Sequence, residues 1–249
     1  MRNIIAIIRK EFFHFSVSPI AYAVTFFLML IMGLHFFSII KNSTTYNLQH
    51  SETYTPSAQV FAIPLITLLF VTIPALTMRS FSEENRSGTL ELILTKPITD
   101  LQLVIGKWLS ICFAILLLLT LMLAFPLLLS LITIQGIDWG LTLAIFLGIA
   151  LISIASSAIG VTISIFFKNQ IVSFLITLLI ILIFWYIGSI SRSTNPLFTF
   201  LKILDIQGHF FPTFYQGLVY IKDLIFFLSL TFLFLTFGVL ILDLKRWKG

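Results

Sequence analysis

Residues 139–167 read WGLTLAIFLGIALISIASSAIGVTISIFF, a run without a single charged side chain. At a rise of 1.5 Å per residue, about 20 helical residues cross the roughly 30 Å hydrocarbon core of a bilayer. The apolar residues are continuous and do not alternate with polar ones, as they would in a barrel strand, and a helix satisfies its own backbone hydrogen bonds in lipid. This stretch therefore predicts a membrane-spanning helix.

Five further apolar blocks of similar length accompany it, and only 10% of the 249 residues are charged. A soluble domain carries about 25% charged residues, so this chain is predicted to be an all-α integral membrane protein. We treat residues 1–249 as one transmembrane domain with six spans. The other five spans are predicted at residues 20–40, 58–78, 108–133, 171–190 and 224–242.

The basic residues predict the orientation. Of the fifteen Lys and Arg residues, eleven fall in the N-terminal segment, the second loop, the fourth loop and the C-terminal tail. Loops rich in Lys and Arg stay in the cytoplasm, so both termini are predicted to be cytoplasmic, in a bacterial inner membrane. The net charge of +5 reflects this bias, and no nucleic-acid partner is expected.

Residues 1–18 form a separate amphipathic segment that leads into the first span at Pro19. Apolar side chains share one side of a helical wheel, as in helices that lie in the membrane interface. Lys10 and Glu11 belong to this interfacial helix, and Glu11 falls within the apolar stripe. Two alternatives are open for Glu11: it reaches headgroup water or a neighbouring basic residue, or it contacts the second loop.

The second loop, residues 79–107, is the most structured polar stretch. Ser80 and Glu83 are spaced as a capping box, which predicts that a short helix begins there. Gly88 is expected to end it, and residues 89–95 are predicted to form a second short helix that stops before Pro97. Such a charged, folded element suits the docking of a partner protein. The alternative is a solvated loop that follows the positive-inside rule.

Small residues recur at four-residue intervals in the fourth span, at Ser156, Gly160 and Ser164. This spacing allows two helices to approach closely, so we predict a helix-packing face. The alternative is the lining of a transport pathway.

The sequence lacks the residue patterns that ion coupling, proteolysis, metal binding and ATP binding require. The predicted spans contain essentially no charged residue, which opposes an ion-coupled transporter. No protease constellation occurs, the four histidines lack metal-ligand spacing, and Cys112 is the single cysteine. Gly106-Lys107 lacks the upstream glycine and the Ser or Thr of a phosphate loop. The chain is therefore predicted to be neither an enzyme nor a metal or cofactor binder.

The second loop resembles that of the ABC-2 family of ATP-binding-cassette transporter permeases. That loop carries Glu-x-x-x-Gly-Thr-x-Glu, then Thr-x-Pro and Gly-Lys. The segment from His209 to Asp223 is similar to the subgroup that includes gliding-motility-associated and multi-copper-maturation permeases. The residues that match the loop motif are Glu84, Gly88, Thr89, Glu91, Thr95, Pro97, Gly106 and Lys107.

The resemblance implies a six-helix ABC-2 transmembrane domain of an exporter, with an interfacial helix, a cytoplasmic coupling helix and short re-entrant outer helices within residues 191–223. For that outer segment the alternative is a loop on the membrane surface. The implied partners are a second permease copy or paralogue and ABC ATPase subunits that carry the ATP and magnesium. The implied ATPase-coupling residues are Glu83, Glu84, Arg86, Gly88, Thr89, Glu91 and Pro97.

Two other functions are kept as alternatives. One is a non-transporting membrane scaffold that recruits a cytoplasmic ATPase, which the same docking loop would serve. The other is an ion-coupled secondary transporter, which the nearly charge-free spans oppose.

Overall fold

The computed structural model describes residues 2–50, 57–95, 98–133, 136–190 and 202–248, which are mostly helical and contain no strand. Six of the helical segments in these ranges are long and apolar enough to cross a membrane. The predicted all-α fold with six spans is therefore confirmed. The candidate spans are Ala21–Thr44, Ala58–Ser87, Asp100–Ile132, Trp139–Phe166, Gln170–Gly188 and Ile221–Arg246.

The α-helices follow one another with short connections. The first seven are α1 (Arg2–Val17), α2 (Pro19–His50), α3 (Ala62–Thr77), α4 (Arg79–Ser87), α5 (Thr89–Leu94), α6 (Asp100–Met122) and α7 (Ala124–Ile132). The last four are α8 (Trp139–Phe166), α9 (Gln170–Ile190), α10 (Ile206–Phe210) and α11 (Ile221–Lys248). Single 3₁₀ turns lie at Ala58–Phe61, Lys202–Leu204 and Phe214–Gln216.

The third span is longer than its apolar block and is interrupted at Leu123. It begins at Asp100, where the Thr99 hydroxyl accepts a hydrogen bond from the backbone N–H of Gln102 at 3.3 Å. Pro126 lies in the first turn of α7, where a missing N–H is tolerated. The proline therefore coincides with a break between two helices.

The connection between α3 and α4 differs from the sequence prediction. Met78 has helical dihedral angles (φ −55°, ψ −28°), and α4 has no side-chain cap. The predicted capping box at Ser80 is wrong, because the chain enters α4 almost without leaving the helix. The predicted stop is confirmed, since Gly88 ends α4 with φ +73°, a left-handed conformation that glycine adopts without a steric penalty.

α8 is the central helix of the bundle. In its most apolar stretch 78% is buried inside the protein, whereas in the corresponding stretch of the first span only 17% is buried. Ser156, Gly160 and Ser164 are part of its buried surface. A side chain at Gly160 would overlap Thr77 of α3, so the two helices touch at this position. The small residues lie in a packed interface, as expected of residues that let helices approach closely.

Two ends of the bundle can be distinguished. The termini end contains α1, α4, α5 and the last turns of α8 and α11. The distal end contains Trp139 and the short helices of residues 202–217. Phe210 and Phe214 from these short helices are fully buried. Phe214 packs on Gly148, nine residues into α8, which is about 13 Å along the helix.

This depth supports the predicted re-entrant arrangement for the described part of the outer segment. Asp205 caps α10 by accepting a hydrogen bond from the Gln207 N–H at 3.1 Å, and its carboxylate lies against Gly188 of α9. Residues 191–201, which belong to the same predicted segment, lie outside the described residues.

Candidate functional site

Lys107 lies at the centre of the termini end, with only 3% of its side chain exposed. Its ammonium is 2.7 Å from Glu84 Oε1 and 3.7 Å from Glu11 Oε1. It also donates a hydrogen bond to the backbone carbonyl of Ser80 and lies 4.7 Å from the centre of the Phe81 ring. A buried ammonium is stable only when paired and hydrogen-bonded, so these contacts explain its position.

The residue before it explains how α1 comes so close. A Cβ atom on Gly106 would lie 2.9 Å from Ile7 Cγ2, so only glycine allows α1 to pack on α6 at this point. One turn further along α1, Glu11 then comes within reach of Lys107. The Gly-Lys pair therefore combines a close helix approach with a buried cation. For Glu11, the structure shows a pairing with a basic residue that is itself the last residue of the second loop.

The C-terminal end of α8 is tied to α4 and α11. Ser82 Oγ donates to the carbonyl of Ser164 at 3.2 Å, and Asn85 Nδ2 donates to that of Ile165 at 3.5 Å. Lys245 of α11 donates to the same Ile165 carbonyl at 2.6 Å. The last carbonyls of a helix have no hydrogen-bond donor within the helix. These three side chains donate to two such carbonyls of α8, those of Ser164 and Ile165.

A second ion pair closes the same end. Arg246 Nη2 lies 2.8 Å from Asp100 Oδ1 and 3.2 Å from the carbonyl oxygen of Ile98. It joins the last turn of α11 to the start of α6. Sequence reasoning missed Asn85, Asp100, Lys245 and Arg246. The sequence shows only that these polar residues lie near the ends of spans. That position does not indicate which residues they contact in the fold.

The predicted coupling residues divide into two groups. Glu84 is 17% exposed and points inward to Lys107. Glu83, Arg86, Thr89 and Glu91 are exposed, as are Gly88 between the two helices and Lys10 on α1. We call Glu83, Arg86, Thr89 and Glu91 the α4–α5 surface. Pro97 lies outside the described residues.

The distal end carries a different polar contact. His209 Nδ1 lies 2.6 Å from Asp223 Oδ1, and the imidazole stacks on Phe226 with ring centres 4.0 Å apart. Asp223 is 1% exposed. The pair joins α10 to the start of α11. Within the described ranges, no three His, Cys, Asp or Glu side chains are grouped to hold a metal ion.

Comparison with known proteins supplies the family. The family model described as ABC-2 family transporter protein matches residues 5–242. This range contains all six candidate spans apart from the last four residues of the sixth. A search of curated proteins found no match.

Proposed function

The chain belongs to the ABC-2 family of transporter proteins, and from this premise we propose that it is the permease subunit of an ABC exporter. In this proposal two permeases form the translocation pathway, and separate ATPase subunits bind ATP and magnesium. The chain itself hydrolyses nothing. Both termini and the α4–α5 surface face the cytoplasm of a bacterial inner membrane, as the distribution of basic residues favours. The gliding-motility and multi-copper-maturation subgroup remains a prediction.

The proposal rests on the two sides of the α4–α5 element. Its outer side presents exposed charges, and its inner side is bound to the spans. Glu83, Arg86 and Glu91 are exposed. On the inner side, Glu84 binds Lys107 of α6, and Ser82 binds the end of α8. A protein that binds the α4–α5 surface can therefore move α4 only by disturbing contacts to two spans.

This arrangement suits the transmission of a partner's motion. Lys107 connects α1, α4 and α6 at one point, so a displacement of α4 changes the partners of a buried charge. Buried charges tolerate few arrangements, which favours two discrete states over gradual deformation. We propose that ATPase closure selects between such states and thereby opens one face of the permease.

The experiment is co-purification of the ATPase with a tagged permease from its own cells in mild detergent. Glu83→Lys combined with Glu91→Lys reverses two exposed charges of the α4–α5 surface and leaves Lys107 untouched. In this proposal Glu83 and Glu91 face basic groups of the ATPase, so we expect about tenfold or greater loss of the ATPase, because like charges at an interface oppose association. The matched control is Asp243→Lys, an exposed acid on α11 at the same end of the bundle.

An ATPase yield that is unchanged in the double variant would refute docking at this surface. Loss of membrane insertion in the double variant but not in the control would instead reflect a folding defect. The scaffold alternative predicts normal ATPase binding but a hydrolysis rate that does not respond to substitution of Lys107. Because the ATPase is cytosolic, dependence on Glu83 and Glu91 would also place the termini end in the cytoplasm.

A further inference from the structure

A cavity of about 270 Å³ lies at the termini end between α1, the α3–α4 junction and α6. A single water needs only about 10–15 Å³, and small-molecule sites begin near 300 Å³, so this space is large enough for a small polar group. Its walls combine charged and apolar side chains. Among them are Lys10, Phe15, Arg79, Ser80, Glu84 and Ile111.

Two polar atoms in the wall have no protein partner among the described residues. Glu84 Oε2 and Ser80 Oγ are both buried and make no hydrogen bond there. The Lys107 ammonium engages the other carboxylate oxygen, Oε1, and the backbone carbonyl of Ser80. A buried carboxylate oxygen without a partner costs free energy. These two acceptors lie just behind the cavity surface, so a hydrogen-bond donor that enters from outside reaches them when the side chains of the wall shift.

The charges around the cavity are arranged by depth. Glu11 and Glu84 share the single buried ammonium of Lys107, which leaves an excess of negative charge on the inner wall. Lys10 and Arg79 are exposed and place two positive charges at the rim, beside one exposed carboxylate, that of Glu83, so the rim carries a net positive charge. This order matches a zwitterion that inserts its cationic end and leaves its anionic end at the rim.

We propose that this cavity binds the headgroup of an amine-bearing phospholipid of the phosphatidylethanolamine type. The primary ammonium donates to Glu84 Oε2 and Ser80 Oγ, and the phosphate is held by Arg79 and Lys10 at the rim. The apolar side chains Phe15, Leu76 and Ile111 line the rest of the cavity and contact the glycerol and the start of the acyl chains.

The surroundings of α1 favour a lipid over a soluble ligand. Along α1, a second, almost entirely apolar groove of about 480 Å³ lies between Ile8 and Phe12 of α1 and Phe113, Leu116 and Leu117 of α6. Among the described residues that line this groove, Arg9 alone is charged. An apolar groove beside a charged cavity on one amphipathic helix is what a helix in the membrane interface would present to lipid. The inference requires only that the chain is embedded in a bilayer, so it does not depend on the proposed ATPase docking.

The test is native mass spectrometry of the purified full-length chain after exchange into vesicle-derived lipid of stated composition. We expect retention of dioleoyl phosphatidylethanolamine but about tenfold weaker retention of dioleoyl phosphatidylcholine, whose methylated ammonium cannot donate hydrogen bonds. Phosphatidylglycerol, which lacks the ammonium, should also be retained about tenfold less. Glycerophosphoethanolamine, the headgroup without chains, should fail to compete at equal concentration.

Two variants separate the ends of the ligand. Ser80→Ala removes one of the two unpartnered acceptors without touching the backbone carbonyl that binds Lys107, and should reduce the preference for ethanolamine over choline, because only Glu84 Oε2 then remains. Arg79→Glu should lower retention of both lipids. The matched control is Arg86→Glu, an exposed arginine on the same helix that does not line the cavity.

Equal retention of the three lipids, or retention that Arg79→Glu leaves unchanged, would overturn the proposal. Effective competition by glycerophosphoethanolamine would assign the cavity to a soluble ligand. A basic side chain of the ATPase is the remaining occupant to exclude. If the Ser18→Cys variant, changed at the cavity wall, cross-links to the co-purified ATPase, and the ATPase displaces the lipid, the cavity belongs to the protein interface and the lipid proposal fails.

Discussion

The two ends of this bundle differ in the contacts that connect their helices. At the termini end, three helices meet at one buried ammonium, and the ends of α8 and α11 are joined by side chains that bind carbonyl groups. At the distal end, short helices insert fully buried phenylalanine rings beside α8, and the single pair of His209 and Asp223 described there joins α10 to α11. Ionic and hydrogen-bond contacts are few and can be exchanged for others, whereas close packing of rings has no near-equivalent alternative. Motion driven by a partner is therefore expected to begin at the termini end.

The largest expected effect comes from removing the buried cation. Lys107→Ala leaves Glu84 and Glu11 without their shared partner, and breaking a buried ion pair from one side costs about 3–5 kcal/mol. Both carboxylates keep some exposure, so the lower part of that range is expected. The loss is measured as the free energy of unfolding in mixed detergent micelles.

The control for this variant is Lys10→Ala, an exposed lysine one residue before Glu11, which should change stability by less than about 0.5 kcal/mol. Lys107→Met combined with Glu84→Gln should restore much of the lost free energy of unfolding. Neither position 84 nor position 107 then carries a charge, so no unpaired charge is buried at these two positions. If Lys107→Ala is as stable as Lys10→Ala, the termini end does not depend on this ammonium, and the contrast between the ends fails.

A smaller effect is expected at the distal end. In Gly148→Ala the new Cβ would lie 2.6 Å from Phe214 Cβ and Cγ, so the short helices must shift. Overpacking of this kind costs about 1–3 kcal/mol. The readout is again the unfolding free energy, together with the fluorescence of Trp185. The ring centres of Trp185 and Phe210 lie 6.5 Å apart.

Gly33→Ala is the matched control, since its nearest neighbour would be 4.0 Å away and alanine favours helix. It should be neutral or slightly stabilising. Equal behaviour of the two variants would mean that the short helices do not pack against the middle of α8.

The features that sequence could predict are those that depend on neighbouring residues. Apolar blocks of about 20 residues predicted six spans, and the glycine at position 88 predicted the stop between α4 and α5. The capping box at Ser80 failed because a local pattern cannot reveal that the preceding span continues into the next helix.

Contacts between distant segments could not be predicted from one sequence. Glu11, Glu84 and Lys107 are far apart in the chain and meet only after α1, α4 and α6 have packed. The sequence predictions included all three, Glu84 as a coupling residue, and the structure adds that Glu84 is bound to Lys107 within the chain. The outward-facing charges that remain for a partner are Glu83, Arg86 and Glu91.

The smallest effect tests whether the second ion pair of the termini end matters beside the first. Arg246 is 37% exposed and its partner Asp100 is 9% exposed, so solvent screens the pair on one side. Arg246→Ala should therefore cost about 1 kcal/mol, near the upper limit for surface pairs and well below the loss for Lys107→Ala. The measurement is a double-mutant cycle with Asp100→Asn, and Arg86→Ala serves as the exposed control. A coupling energy close to that of the buried pair would mean that α11 is tied to α6 as firmly as α4 is, so that motion passed from α4 to α6 must also displace the last span. A coupling energy near zero would leave Lys107 as the principal ionic link between the α4–α5 surface and the spans.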